Sequence, residues 1–337
     1  MTRTILKAGA AALALTAGAA KADPVLYPDA AAFVAATSQG APIYTLTPEE
    51  AREVLRGAQS GPVDAPEVAV EDRTLPVGPT GETKIRVLRP EGLGEDAPAV
   101  VYFHGAGWVM GDTLTHDRLV REIAAGAGAV VIFVDYERSP EARYPVAIEQ
   151  DYAVTRYVAE HGAEFGIDPA RIAIAGDSVG GNMTAVVSLL AKERGTPRIA
   201  AQLLFYPVTD AGLDTPSYDA FAEGPWLTRT AMEWFWDQYL PDADAREDIH
   251  VSPLNATPEQ LAGLPPALVI TSANDVLRDE GEAYAAKLIE AGVPTVQTRY
   301  AGTIHDFVML NALADLPGTR AAIAQANGFL REHLAAE

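Results

Sequence analysis

The sequence predicts an α/β fold with a mostly parallel sheet of about eight strands, helices on both faces and a helical cap. Short continuous apolar runs recur along the chain without polar alternation, which is typical of strands buried on both faces of a parallel sheet. Helical patterns separate these runs, and two alternating segments precede them as an antiparallel pair. With 337 residues, of which 48% are hydrophobic, the chain is long enough to bury such a core.

Residues 1–22 have the composition of a removable export signal. Arg3 and Lys7 form a short basic start, the apolar run AGAAALALTAGAA follows, and AKA at residues 20–22 fits a small-x-small cleavage site. The apolar run is far shorter than the ~20 residues of a membrane-spanning helix. We expect a mature chain that lies in the periplasm or the medium without inserting into the membrane after cleavage; a helical anchor or an Ala-rich tail is the alternative.

The charge and the rare residue types exclude several classes of protein. The formal charge is −21, and removal of the three basic residues of the signal would leave −24. Such a surface repels nucleic acid and anionic lipid, so we expect no nucleic-acid partner. The chain has no cysteine and only six histidines without HExxH spacing, which argues against a disulfide framework and a zinc site. We therefore expect no metal site.

Residues 23–66 are predicted to form an N-terminal cap segment. A helix is expected over residues 47–57, because Thr47 can cap it, Pro48 suits its first turn and Gly57 can end it. The main α/β domain should cover residues 67–337, beginning with an antiparallel pair of strands in VAVEDRTLPV and TKIRVLRP.

Six buried strands should follow the antiparallel pair. The apolar runs that predict them lie at residues 99–103, 129–136, 171–176, 201–207, 266–273 and 295–300. Nearly 60 residues separate the fourth run from the fifth, against about 25–35 between the others. We interpret about 212–255 as a cap insertion over the carboxyl edge of the sheet, where ligands bind in open α/β sheets.

The segment GDSVGG at residues 176–181 follows a predicted strand and precedes a predicted helix. Gly176-x-Ser178-x-Gly180 is the pattern of a nucleophile elbow, a tight turn that exposes a serine hydroxyl at the head of a helix. The alternative interpretation is an ordinary strand–turn–helix whose serine has no catalytic role. A serine hydroxyl needs an adjacent base to act as a nucleophile at neutral pH.

An acid and a base occur later in the chain, in the order that this kind of elbow requires. Asp275 follows the strand PALVITSA and His305 follows the next strand, so both should lie at the carboxyl edge of the sheet. Asp279 and Glu280 lie a few residues further on and suit the start of a helix. The other histidines, His116, His161, His250 and His333, do not follow a strand in this way.

The glycine loop, residues 104–111 with the sequence HGAGWVMG, could in principle bind a nucleotide phosphate or an oxyanion. It does not match the dinucleotide pattern G-x-G-x-x-G, because Met110 occupies the sixth position. Nucleophilic attack by Ser178 would create an oxyanion at the same edge of the sheet. We therefore expect the N–H groups of Gly105 and Ala106, together with that of Val179, to form an oxyanion hole.

In combination these motifs resemble those of the hormone-sensitive-lipase-like esterases, the bacterial family IV or GDXG group of the α/β-hydrolase superfamily. The resemblance covers roughly residues 45–335 and rests on YFHGAGWVMGD, GDSVGGN, NDVLRDEGEAYAAKL and GTIHDF. It implies Ser178 as nucleophile, Asp275 as acid and His305 as base. It also implies the same oxyanion hole, an N-terminal cap, activity on short-chain acyl esters and no cofactor. Members often pair through their last strand and helix, which leaves a homodimer open.

The chain departs from the family pattern at several positions. Ala106 replaces a usual glycine of the loop, and Val179 replaces a usual alanine beside the nucleophile. Among the aromatic residues, Trp108, Trp226 and Phe307 are candidates for the substrate pocket, although aromatics are more often core residues.

The expected function is therefore a serine carboxylesterase that acts on short-chain acyl esters through an acyl-enzyme. One alternative keeps the same three residues and changes the substrate to an acetylated compound, a lactone or an amide. The other alternative is a non-catalytic small-molecule receptor on the same scaffold, which the presence of His305 disfavours.

Overall fold

A computed structural model describes residues 23–336, so the predicted export signal at 1–22 lies outside the described residues. These residues contain one eight-stranded sheet with the order β1-β2-β4-β3-β5-β6-β7-β8. Strand β2 pairs antiparallel with both β1 and β4, and all the other neighbouring pairs are parallel. The strands are β1 Ala69–Leu75, β2 Thr83–Arg89, β3 Ala97–Phe103, β4 Val130–Asp135, β5 Ile167–Asp177, β6 Ala201–Phe205, β7 Ala267–Asn274 and β8 Thr295–Ile304.

Ten α-helices accompany the sheet in the described part of the chain. They are α1 Pro28–Thr37, α2 Pro48–Ala58, α3 Asp117–Ala127, α4 Val146–Glu160, α5 Val179–Arg194, α6 Pro216–Ala220, α7 Arg229–Tyr239, α8 Pro258–Leu261, α9 Arg278–Glu290 and α10 Pro317–His333. Helix α3 packs against α10, and α4 packs against α5. The predicted fold class is confirmed, and all eight predicted strands form.

The central strands are buried because apolar side chains cover both of their faces. Every residue of β6 is buried, and β3 and β7 are each buried at all but one position. This continuous burial is what runs without polar alternation predict. Strand β8 lies at the sheet edge and alternates, and it is four residues longer than its predicted run.

Helix α2 begins where its sequence indicates. The Thr47 hydroxyl accepts the backbone N–H of Glu50, and the Glu50 carboxylate accepts the N–H of Thr47, which forms a capping box. The side chain of Arg52 then ties α2 to the body of the protein, because it donates to the carbonyls of Val109 and Ser139.

The end of the N-terminal segment joins two loops at the carboxyl edge of the sheet. The buried side-chain amide of Gln59 donates to the carbonyls of Thr115 and Met309, over 2.6 and 2.9 Å. Its carbonyl oxygen accepts the N–H of Asn311 over 2.8 Å. Thr115 follows the glycine loop and Met309 follows His305, so Gln59 connects the two loops that carry predicted functional residues.

The long interval between β6 and β7 contains α6, α7 and α8. Helix α7 lies over the glycine loop, because the Tyr239 ring stacks on Trp108 with centroids 4.1 Å apart. Trp236 also contacts Trp108, at a centroid distance of 4.7 Å. A helix of the predicted insertion therefore packs against the carboxyl edge of the sheet.

Candidate active site

Ser178 lies in a sharp turn between β5 and α5. Its backbone has φ 55° and ψ −118°, a left-handed conformation that is uncommon for a serine and typical of strained functional turns. The turn leaves no space for a side chain two residues later, since a Cβ on Gly180 would overlap the carbonyl group of Phe103. The pattern Gly-x-Ser-x-Gly is thus required by the local packing.

The three residues predicted to act together are brought together by the fold. His305 Nε2 lies 2.9 Å from Ser178 Oγ, and His305 Nδ1 lies 2.7 Å from Asp275 Oδ2. The other oxygen of Asp275 accepts the backbone N–H of Leu277 over 3.0 Å, which fixes the carboxylate. All three side chains are buried, and Ser178 retains 4% of its surface exposed. The rival acids lie elsewhere: Asp279 bonds Ser217, and Glu280 accepts the N–H of Thr209.

A second carboxylate that the sequence analysis did not single out lies beside the imidazole. Asp306 Oδ1 is 3.3 Å from His305 Nε2 and has no hydrogen-bond partner within residues 23–336. Its other oxygen accepts the indole N–H of Trp226 over 2.8 Å. Burial alone lowers the pKa of His305, but Asp275 and Asp306 outweigh burial and raise that pKa to about 9.

The glycine loop differs in one respect from the prediction. The N–H of Gly105 donates to Asp177 Oδ1 over 3.1 Å, so it is not free to bind an oxyanion. The N–H groups of Ala106 and Gly107 have no acceptor within residues 23–336. Val179 is the first residue of α5, where an N–H has no intrahelical partner. The free donors are therefore Ala106, Gly107 and Val179, and Gly107 replaces Gly105 in the predicted set.

The backbone of the loop is left-handed at both free donors. Ala106 has φ 75° and Gly107 has φ 69°. The space above Gly107 is filled by the cap, because a Cβ there would overlap the ring of Phe235 in α7. Glycine at this position is explained by close approach as well as by φ. The sequence already pointed to this loop, since Gly107 lies in the same motif as Gly105 and Ala106, the two donors predicted there.

The three aromatic candidates occupy different environments. Trp108 is fully buried and packs between Trp236 and Tyr239, so it fixes the glycine loop against α7 and has no surface exposed to an open cavity. Phe307 is also fully buried, and its ring packs against those of Tyr206 and Tyr300. Trp226 is half-buried and contacts Asp306, which makes it the candidate nearest to the triad with exposed surface.

This arrangement can carry out nucleophilic acyl transfer. It combines a serine hydroxyl, an imidazole within hydrogen-bond distance, a carboxylate that orients the imidazole, and backbone N–H groups without an acceptor among the described residues, in the neighbouring loop and at the start of α5. Within residues 23–336 no cluster of three His, Asp or Glu side chains is arranged to hold a metal ion. No helix in that range has the length and apolarity to cross a membrane.

The fold and the site together define an α/β hydrolase. A family model described as the α/β hydrolase fold matches residues 100–309. The carboxylesterase NlhH of Mycobacterium tuberculosis is 40% identical over 262 residues, which are 77% of this chain and 82% of that protein. An ethyl acetate hydrolase of Pseudomonas putida is 32% identical over 305 residues, 86% of this chain and 94% of that protein.

A solved structure agrees with these relatives. The crystal structure of a thermostable esterase from Pseudomonas putida ECU1011 superimposes with a TM-score of 0.91 at 51% identity, covering 94% of this chain and all of that one. The chain belongs to the hormone-sensitive-lipase-like, family IV esterases of the α/β-hydrolase superfamily. It is a carboxylic ester hydrolase, as the resemblance in its motifs implied.

Proposed function

We propose that the protein hydrolyses short-chain acyl esters through an acyl-enzyme formed on Ser178. The observation that carries this proposal is the continuous hydrogen-bonded chain from Ser178 Oγ through His305 to Asp275, with distances of 2.9 and 2.7 Å. Its position beside unpartnered N–H groups of the glycine loop supports acyl transfer rather than a structural role.

In the first half of the reaction, Ser178 Oγ attacks the ester carbonyl carbon while His305 Nε2 takes the hydroxyl proton. Asp275 keeps Nδ1 protonated and stabilises the imidazolium. The negative charge develops on the former carbonyl oxygen, where the N–H groups of Ala106, Gly107 and Val179 can donate to it. When the intermediate collapses, His305 gives its proton to the departing alcohol. A water molecule then repeats the sequence on the acyl-enzyme and releases the carboxylic acid.

A small acyl group suits the surroundings of Ser178. Val179 is fully buried beside the nucleophile, and Phe235 covers the glycine loop closely. We infer from these contacts a narrow acyl site that favours acetyl to butyryl chains. A panel of p-nitrophenyl esters with two to twelve carbons tests this, and equal kcat/KM for butyrate and laurate would contradict it. Acetylated glycosides, lactones and amides on the same panel test the alternative substrates.

The catalytic assignment is tested by Ser178→Ala. The variant removes only the nucleophilic oxygen, so hydrolysis of p-nitrophenyl butyrate and covalent labelling by a fluorophosphonate should both be lost while the circular dichroism spectrum is unchanged. Ser188→Ala, which removes a buried hydroxyl of α5, is the matched control and should remain active. Activity in a folded Ser178→Ala protein would refute the proposal.

Export also stays a prediction, and it rests on the residues 1–22 alone. We propose that the signal is removed and that the enzyme acts in the periplasm or the medium on esters that reach it there. The intact mass of the protein recovered from these fractions should correspond to a chain beginning at residue 23. A full-length mass in the cytoplasmic fraction would contradict this.

A further inference from the structure

A buried polar cluster lies directly beneath the nucleophile and is not part of the triad. Asp177, which precedes Ser178, is fully buried at the end of β5. Its Oδ1 accepts the Tyr102 hydroxyl over 2.7 Å and the Gly105 N–H over 3.1 Å. Its Oδ2 lies 3.3 Å from His116 Nε2. One carboxylate therefore joins β3, the glycine loop and the start of α3.

We propose that His116 is a positioning residue for the ester hydrolysis: by donating from Nε2 to Asp177, it holds that carboxylate where it anchors the glycine loop. The inference rests on the proposed function, because the loop is assigned there to the oxyanion. His116 does not touch the reacting atoms and acts through Asp177 and Gly105.

The direction of the hydrogen bond follows from the chemistry of its partners. A carboxylate only accepts, so the proton in the contact with Asp177 must be on the imidazole Nε2. Thr115 Oγ1 lies 2.9 Å from Nδ1, and it also lies 3.0 Å from the carbonyl of Asp112, to which it can donate. Because the Thr115 hydroxyl donates its proton to the Asp112 carbonyl, it can only accept from His116 Nδ1. Nδ1 therefore carries a proton as well as Nε2, and the ring is an imidazolium.

The charges around the pair agree with this state. Burial alone lowers the pKa of His116, but Asp177, and to a lesser degree Asp306 and Asp112, raise that pKa above its usual value. Burial alone raises the pKa of Asp177, but His116 and Tyr102 outweigh burial and bring it below its usual value. The neighbouring imidazole, His104, is neutral, because burial and His116 lower its pKa to about 3.

His116 is also the single charged partner of Asp177 among residues 23–336. No Lys or Arg forms an ion pair with this carboxylate, and its other partners are a hydroxyl and a backbone N–H. A buried carboxylate without compensation is strongly disfavoured and either moves toward water or takes up a proton. Either response changes the acceptor that holds the Gly105 N–H. Ala106 and Gly107, which carry the two free N–H groups of the loop, follow Gly105 directly and depend on its position.

The test is a matched pair of variants measured beside the parent enzyme. In His116→Gln the side-chain amide reaches about as far as Nε2 and keeps a donor for Asp177. In His116→Asn it reaches only about as far as Nδ1 and keeps the contact with Thr115. We expect kcat for p-nitrophenyl butyrate to fall at least about tenfold in His116→Asn at unchanged KM, since loop geometry matters in the transition state. In His116→Gln kcat should fall less than in His116→Asn, because the donor to Asp177 is kept although the positive charge is lost.

Equal losses in the two folded variants, or a His116→Asn kcat within threefold of the parent, would overturn the proposal. A measurement on the parent covers the case of variants that do not fold. With ¹⁵N-labelled histidine, NMR should show a slowly exchanging proton on His116 Nε2 from pH 6 to pH 8. An unprotonated Nε2 in that range overturns the proposal. This spectrum does not depend on turnover, so it is distinct from a failure of Ser178→Ala to abolish activity.

Discussion

The clearest quantitative prediction concerns Asp306→Asn, which removes a negative charge beside the imidazole of His305, the proposed base. Asp306 Oδ1 lies 3.3 Å from His305 Nε2 and stabilises the protonated ring. Even at the dielectric constant of water, two charges at this distance interact by about 1.3 kcal/mol, which corresponds to about 0.9 pKa unit. A lower effective dielectric constant increases that value. The substitution should therefore lower the pKa of His305 by at least about 0.9 unit.

The sign of the effect on activity follows from the role of general base that we propose for His305. His305 accepts a proton only when it is neutral, so kcat/KM rises with pH through the pKa of the free enzyme, about 9 in the parent. Lowering that pKa moves the rising limb to lower pH. Well below the midpoint, a shift of about 0.9 unit increases kcat/KM roughly eightfold at pH 7.

The assay is the pH dependence of kcat/KM for the neutral ester p-nitrophenyl butyrate from pH 5 to pH 10. Asparagine is nearly isosteric and keeps an oxygen that can accept the Trp226 indole N–H. Glu290→Gln is the charge control, because it removes one negative charge from an exposed position at the far end of α9 and should leave the midpoint unchanged. A midpoint that stays within 0.3 unit of the parent in Asp306→Asn, or moves upward, would refute the reasoning.

Three further predictions concern backbone geometry and burial. Ala106→Gly should change kcat by less than about threefold, because Ala106 already has the left-handed φ of 75°; a tenfold change measured with the same ester would contradict this. Gly107→Ala should lower kcat by about 10²–10³, because the added Cβ overlaps the Phe235 ring and displaces a proposed oxyanion donor. The double variant Gly107→Ala/Phe235→Ala removes that overlap and should recover part of the lost kcat. Burial raises the pKa of Asp151 well above its usual value, so this carboxyl lowers the free energy of unfolding more and more as pH rises above its pKa in the unfolded chain. Asp151→Asn should therefore raise Tm more at pH 8 than at pH 5. Equal gains in Tm at the two pH values would show the reasoning to be wrong.

The fold was predictable because its signals are local and repeated. The central buried strands are continuous apolar runs, and α2 has its own end signal in the capping box at Thr47. The positions of Ser178, Asp275 and His305 followed from one rule, that the carboxyl ends of parallel strands meet at one edge. These signals do not depend on knowing which distant segments touch.

The parts that the sequence analysis missed depend on contacts between distant segments. Gly105 looked like an oxyanion donor until Asp177, 72 residues later, was seen to accept its N–H. His116 was set aside as a base because it follows no strand, and only the packing of α3 brings it to Asp177. The charge of Asp306 was visible in the motif GTIHDF, but its approach to His305 Nε2 is set by a left-handed φ of 64°.

Gln59 has a consequence for the time at which the enzyme becomes active during synthesis. Its side chain bonds the carbonyl of Met309, 250 residues further along the chain, so α2 cannot complete its docking until the chain has been made as far as Met309. His305, the proposed base, also lies in this late part of the chain, between β8 and Met309. A chain that has been made only as far as β7 therefore lacks both the proposed base, His305, and the hydrogen bonds by which Gln59 joins the two loops.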